Sequence, residues 1–299
     1  MPTRALMVDA PYVPCPRQTA IPIGRPGWWQ WPTVLSLDAP VVAVLWQWLL
    51  ARAAHARLEW PPPLVLGGSV WLAYTADRWI EGWRVAPVEV KTQRHHFAQR
   101  HRWPVATLWS IVFVGDVSIA VTQLTAYELA SGLGLLVMVL TYLLSHQLIH
   151  RDHPWRAPKE VCVAVLLTGG VLLFSAARGE AGTLAAPLAL FGMLCFGNCV
   201  LISAWERDVD ATHGETSFAL QFRFGRALSR WWPWMVATLA AGVVCLTRGP
   251  ARDAAGCAFA SGLLLGSVDV MEYYVGREVA RVLADVVLMT PLLFWLHWS

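Results

Sequence analysis

Charge is scarce in this chain. Of 299 residues only 14% are Asp, Glu, Lys or Arg, against about 25% in an ordinary soluble domain. That shortage excludes a water-soluble globule of this length. Strict alternation of polar and apolar residues is also missing, which excludes a transmembrane β-barrel. No apolar core precedes Val34, so the N-terminus does not read as a secretory signal. Residues 1–33, rich in Pro, Gly and Trp, read instead as a loose cytosolic or interfacial tail. The six cysteines (15, 162, 195, 199, 245 and 257) contain no CxxC pair, which argues against a zinc or disulfide framework. Most lie in apolar runs, as reduced and packed thiols. Cys195 and Cys199 share a helix face, but a metal there would need further ligands.

What the chain does have is hydrophobicity: 56% of residues, with a mean hydropathy of +0.47. Several apolar stretches approach the roughly 20 residues that span a bilayer, and Thr183 to Trp205 runs without one charge. The pattern predicts an all-α integral membrane protein of nine transmembrane helices in one domain, residues 34–299. The expected spans are 34–52, 62–82, 104–124, 127–146, 159–177, 184–205, 231–247, 254–272 and 280–298. Lys and Arg set the orientation. Eighteen of the 23 fall on the N-terminal side of the membrane when the spans alternate. The expectation is therefore an inner-membrane protein with a cytoplasmic N-terminus, a C-terminus on the opposite side, and cytoplasmic loops at 83–103 and 206–230.

Two spans end in paired acids, Asp77 with Glu81 and Glu206 with Asp210. Three expected spans lie between them, so both point the same way, as in a parallel internal repeat. Residues i and i+4 share a helix face, and two like charges so close repel. A divalent cation relieves that repulsion. Hard oxygens suit Mg²⁺, which takes the rest of its shell from water and substrate phosphates. Interfacial acids also pair with nearby arginines, here Arg78, Arg84 and Arg207, and that plainer reading stays open. Cations that suit phosphate oxygens lie near the same mouth: Arg78, Arg94 in "KTQRHHFAQRHR", and Lys159 in "APKEVCVAV".

At these residues the chain resembles the UbiA-type intramembrane prenyltransferase superfamily, whose members carry an NDxxDxxxD motif on helices 2 and 6. "ERDVDATHGETS" keeps a Gly, Gly214, four residues after the second motif, and "PKEVCVAVLLTGGVLLF" resembles the family's fifth helix. There are departures. Ala73 and Tyr74, and Ile202 and Ser203, stand where Asn and Asp are usual, so each motif lacks its first acid. Asn198 lies one and two turns before Ile202 and Glu206 and offers a neutral amide to the diphosphate. The resemblance implies a central cavity open to the cytoplasmic side and Mg²⁺ held by Asp77, Glu81, Glu206 and Asp210. It also implies ionisation of an isoprenyl diphosphate and transfer of the prenyl group to a hydrophobic acceptor, with membrane lipid and no nucleic acid as surroundings. Cyclisation without an acceptor, or a non-catalytic lipid-binding or transport bundle, are the alternatives.

Tyr74, Trp71 and Trp205 are candidates for the cavity wall, where aromatic faces stabilise a cation; most Trp residues otherwise belong to interfacial belts. Asp116, mid-span in "FVGDVSIAV", is a further cavity candidate, since an acid at that depth is costly. Asp269, Glu272 and Asp285 read as salt-bridge partners of Arg277 and Arg281, with Asp285 a weaker site candidate. His146, His150 and His153 lack the matching histidines on a second helix that haem would require.

Overall fold

A computed structural model describes residues 26–84, 93–145, 158–177, 181–208, 217–222 and 224–298; at 81–84, 93–95, 177, 181 and 295–298 it describes the backbone alone. All regular structure among the described residues is helical. The main helices are α1 (Trp31–Val34), α2 (Asp38–Ala53), α3 (Pro61–Arg84), α4 (Gln93–Arg100), α5 (Arg102–Gln123), α6 (Ala126–Leu144), α7 (Lys159–Ala177), α8 (Ala185–Trp205), α9 (Phe218–Gln221), α10 (Gly225–Leu246), α11 (Pro250–Val275), α12 (Arg277–Val286) and α13 (Pro291–Trp298). Each apolar segment read from the sequence falls on one of these helices or, for the last segment, on α12 and α13 together.

By length and composition five of them, α5, α6, α7, α8 and α11, can cross a membrane, and a sixth crossing arises if the bent pair 28–34 and 38–53 is one span. α3 falls outside that set, its last two turns carrying Asp77, Arg78, Glu81 and Arg84. α5 and α6 form a hairpin whose turn is set by a capping box: Thr125 Oγ1 accepts from the Glu128 backbone N–H, and Glu128 accepts from the Thr125 N–H. α5 buries no residue at all. Ile111, Val114, Val121 and Val137 on the hairpin are exposed, and such aliphatic faces are at home only against lipid.

α2 is the centre of the core. It packs against α3, α7 and α11. Trp46, with no exposure, stacks on Phe191 of α8 at 4.8 Å. The final helical segment is broken by a 3₁₀ turn, Val287–Met289, before Pro291. A break leaves carbonyls without helical partners, and in a bilayer they must be satisfied internally. Here Ser261 Oγ donates to Val287 O at 2.7 Å and Trp46 Nε1 to Leu288 O at 2.8 Å. α10 and α11 approach closely at Gly262, where a Cβ would lie 3.0 Å from Ala237 N and 3.1 Å from Pro233 O.

The N-terminal boundary differs from the sequence expectation. Residues 28–34 are helical and turn by 75° into α2. The chain bends at Ser36, whose φ of 58° lies in the left-handed region that side chains other than glycine enter at a cost. Trp31 packs edge-on against Phe97 of α4 at 5.8 Å, and Gln30 Nε2 donates to Glu278 Oε2 at 2.9 Å. These contacts, which no local pattern encodes, hold residues 28–34 against the bundle.

Replacing Trp46 by alanine removes a buried ring and orphans Leu288 O. The expected loss is about 3–5 kcal/mol, read as a lowered unfolding midpoint of the detergent-solubilised protein. Trp28→Ala, at an exposed position, leaves that midpoint unchanged within error.

Candidate functional site

A cavity of about 180 Å³ opens among α2, α3, α6, α7, α8 and α12. α3 contributes Tyr74, Asp77 and Arg78, spaced i, i+3, i+4 and so on one face. α8 contributes a stripe of the same periodicity: Cys195, Asn198, Cys199, Ile202, Ser203 and Glu206. Lys159 and Glu160 enter from the first turn of α7, Asp38 from the first turn of α2, Tyr142 from α6, and Arg281 and Asp285 from α12.

The cavity is graded from charge to oil. Along α8, Glu206 to Cys195 is eleven residues, or about 16 Å at 1.5 Å per residue. The Glu206 end holds Asp77, Lys159 and Arg281, while the other end is walled by Cys195, Leu167, Val42 and Leu288. Such a gradient accommodates a ligand with an anionic head and an apolar tail. Five carboxyl groups (Asp38, Asp77, Glu160, Glu206, Asp285) outnumber three cations (Arg78, Lys159, Arg281) on its wall.

Each charged group has a defined setting. Arg281 donates to Glu206 in an ion pair whose two side chains are only 14% and 17% exposed. Arg78 donates to Ser36 Oγ at 2.7 Å and to Thr33 O, and so pins the bend before α2. Asn198 Nδ2 donates to Asp285 Oδ1 at 3.0 Å, while its Oδ1 is buried without a partner. Glu160, 1% exposed, accepts from the Phe218 N–H at 3.0 Å and ties α9 to α7.

Of the residues singled out from the sequence, Asp77, Glu206, Arg78, Lys159, Asn198 and Tyr74 line this one cavity. The side chains of Glu81 and Arg94, and all of Asp210 and Gly214, lie outside the described residues, as do His146, His150 and His153. Three candidates sit elsewhere. Trp71 lines a second cavity of about 190 Å³, with Thr75, Phe97 and His101, and its Nε1 donates to Leu35 O at 3.0 Å. Trp205 turns towards α11 and donates to Asp269 Oδ1 at 3.2 Å. Asp116 lies on the α3–α5 seam, accepting from Ser69 Oγ at 2.8 Å, in the space left by the missing Cβ of Gly68.

The pairings expected for α11 and α12 also change. Glu272 does meet Arg277, at 3.7 Å, but Asp269 pairs with Arg230 at 3.7 Å. Arg281 belongs to Glu206, and Asp285 turns to Asn198. Asp38, Tyr142, Glu160, Ser203 and Arg281 are cavity residues that the sequence reading did not single out as such. A lone acid opening an apolar run, as Asp38 does in "LDAPVVAVL", is the one signal that was available.

No protein-family model matches the chain, and no curated protein sequence matches it. Solved structures do. The apo structure of a UbiA homolog from Aeropyrum pernix K1 aligns over 86% of this chain and 98% of its own, with a TM-score of 0.54 and 14% identity. A UbiA homolog from Archaeoglobus fulgidus, bound to GPP and Mg²⁺, aligns over 88% and 98% with a TM-score of 0.55 and 13% identity. The same homolog bound to DMAPP and Mg²⁺ gives a TM-score of 0.54 at 12% identity over 88% and 98%. The fold is that of the UbiA homologs.

A divalent metal can be tested against the donors present. Among the described residues no three His, Cys, Asp or Glu converge as a ready-made metal cage. Asp77 and Glu206 do supply hard oxygens from two helix ends to one cavity that has an excess of acids. One or two carboxylates are what Mg²⁺ takes when water and phosphate complete its shell, so the donor set fits that ion.

The Glu206–Arg281 contact is largely buried, unlike Arg277–Asp208, whose side chains are 58% and 81% exposed. A double-mutant cycle on stability with Glu206→Gln and Arg281→Met is expected to give a coupling of about 1–3 kcal/mol. The matching cycle at Arg277 and Asp208 is expected to stay below about 1 kcal/mol.

Proposed function

We propose that the chain is a Mg²⁺-dependent intramembrane prenyltransferase, ionising an isoprenyl diphosphate and passing the prenyl group to a hydrophobic acceptor. The observation that carries this reading is the meeting of Asp77 and Glu206, from the ends of α3 and α8, with Lys159 at the charged end of a cavity that becomes apolar with depth. The UbiA homolog of the same fold that binds GPP and Mg²⁺ supports it.

In this reading Asp77 and Glu206 hold the metal, joined by Glu81 and Asp210 as the resemblance implies. Once bound, Mg²⁺ neutralises the charge that develops on the departing diphosphate. Lys159 and Arg78 hold non-bridging phosphate oxygens, charge-assisted contacts that strengthen as the C–O bond breaks. Asn198 offers its unpartnered amide oxygen to the polar part of the ligands. The apolar floor at Val42, Leu167 and Leu288 takes the isoprenyl chain and limits the access of water to the allylic cation. Tyr74 turns a ring towards the same space, where an aromatic face favours a cation. The nine apolar segments all span the bilayer, with the N-terminus cytoplasmic, the charged mouth on the cytoplasmic side and the C-terminus opposite, as the distribution of Lys and Arg supports.

Purified protein given geranyl, farnesyl or geranylgeranyl diphosphate is expected to release pyrophosphate in the presence of Mg²⁺ and to stop when EDTA is added. Asp77→Asn and Glu206→Gln are each expected to lower the rate by about 10²-fold or more, in line with loss of a group acting on transition-state charge. A wild-type protein that releases no pyrophosphate at any chain length sinks the proposal. Release accompanied by a cyclic hydrocarbon, with no acceptor added, redirects it to cyclisation.

A further inference from the structure

Asp38 and Asp285 are not needed to hold a metal at the mouth, and they are not placed there. Asp285 lies four residues after Arg281 on α12, one turn or about 6 Å deeper along the axis than the Arg281–Glu206 pair. Asp38 reaches the same depth from the start of α2 and is 6% exposed. The two carboxyl groups line the same cavity. Two carboxyl groups on one cavity wall are the arrangement in which paired aspartates handle protons in other enzymes. Neither forms a salt bridge among the described residues.

Polar atoms without partners gather around this pair. Asn198, 8% exposed, binds Asp285 through Nδ2 and leaves Oδ1 unpaired. Ser203, 4% exposed, lines the same cavity with an unpaired Oγ. Buried polar atoms without partners are rare in folded proteins and call for a ligand or water. Here they stand deeper along α8 than Glu206 and line the same cavity.

We propose that the Asp38–Asp285 pair accepts the proton released when the prenyl cation is captured by a protic nucleophile. The proposal rests on the prenyl-diphosphate reading above. In the step, the bond from C1 to the bridging oxygen breaks and its electron pair leaves with diphosphate. The nucleophile's lone pair forms the new bond to C1, and its proton passes to a carboxylate oxygen of the pair. Asn198 Oδ1 and Ser203 Oγ orient the nucleophile's hydroxyl. The pair then returns the extra proton to water or diphosphate at the mouth, restoring the starting state.

The experiment separates ionisation from capture. Full-length protein with Mg²⁺ is given geranyl diphosphate carrying ¹⁸O in the bridging position. Scrambling of the label into non-bridging positions reads ionisation and return; net pyrophosphate release reads capture, by water where no acceptor is supplied. Asp285→Asn is isosteric and keeps an oxygen for Asn198 Nδ2. It is expected to scramble label at a rate within about threefold of wild type while net release falls by about 10²-fold or more, the usual weight of a general base. Asp38→Asn is expected to behave alike and serves if Asp285→Asn does not fold. Scrambling and release that fall together mean a binding or structural role and overturn the proposal, as does release that stays at the wild-type rate. A wild-type protein showing neither signal overturns the prenyl-diphosphate reading itself, and this proposal with it.

Discussion

Burying charge at one end of an apolar bundle is the constraint around which this molecule is organised. Five acids and three bases line a space of about 180 Å³, and each ionised group in a poorly solvated setting is costly unless it is paired. The pairings that answer this cost also join the chain. Arg281 and Glu206 link α12 to α8 across 75 residues, and Asn198 and Asp285 do so again, one turn along α12 and two along α8, across 87. Arg78 links α3 to the bend before α2. Remove the electrostatics and the helices still collapse by packing; what they lose is the register that brings α3, α8 and α12 to one mouth.

Arg78 shows how local strain is held in place. Ser36 sits at a φ of 58°, a conformation a free chain seldom adopts. The guanidinium takes both the Ser36 hydroxyl and the Thr33 carbonyl, so the bend that exposes strained backbone is closed by the same side chain that lines both cavities. The bend in turn delivers Asp38 to the cavity wall. A single cation thereby helps to position an acid 40 residues away.

Much of the fold was legible because membrane helices advertise themselves. Each apolar run read from the sequence lands on a helix, and Asp77 and Glu206 reach one cavity because three intervening spans, α5, α6 and α7, return the chain to the same side. The rest was illegible for a stated reason. Apolar periodicity carries no information about which distant arginine meets which acid, so Arg281 was assigned to its own neighbourhood and not to Glu206. Trp71 and Trp205 are next to motif residues in sequence, yet a helix turns 100° per residue and points them at α1 and α11. The break at Val287–Met289 falls inside an unbroken apolar run; only the hydroxyl of Ser261 and the indole of Trp46, far away in sequence, make it tolerable.

The α5–α6 hairpin carries a different lesson. α5 meets α3 along one seam, where the Trp109 indole bonds Leu72 O, Ser69 bonds Asp116, and Ile119 and Ala120 reach the core; the rest of its surface owes its sequence to the solvent around it. Any aliphatic residue that suits lipid serves there equally well. Such a surface can drift without cost, and a bundle with much of its perimeter in that condition can keep its shape while its letters are almost entirely replaced. An architecture shared at 12–14% identity is what that freedom produces.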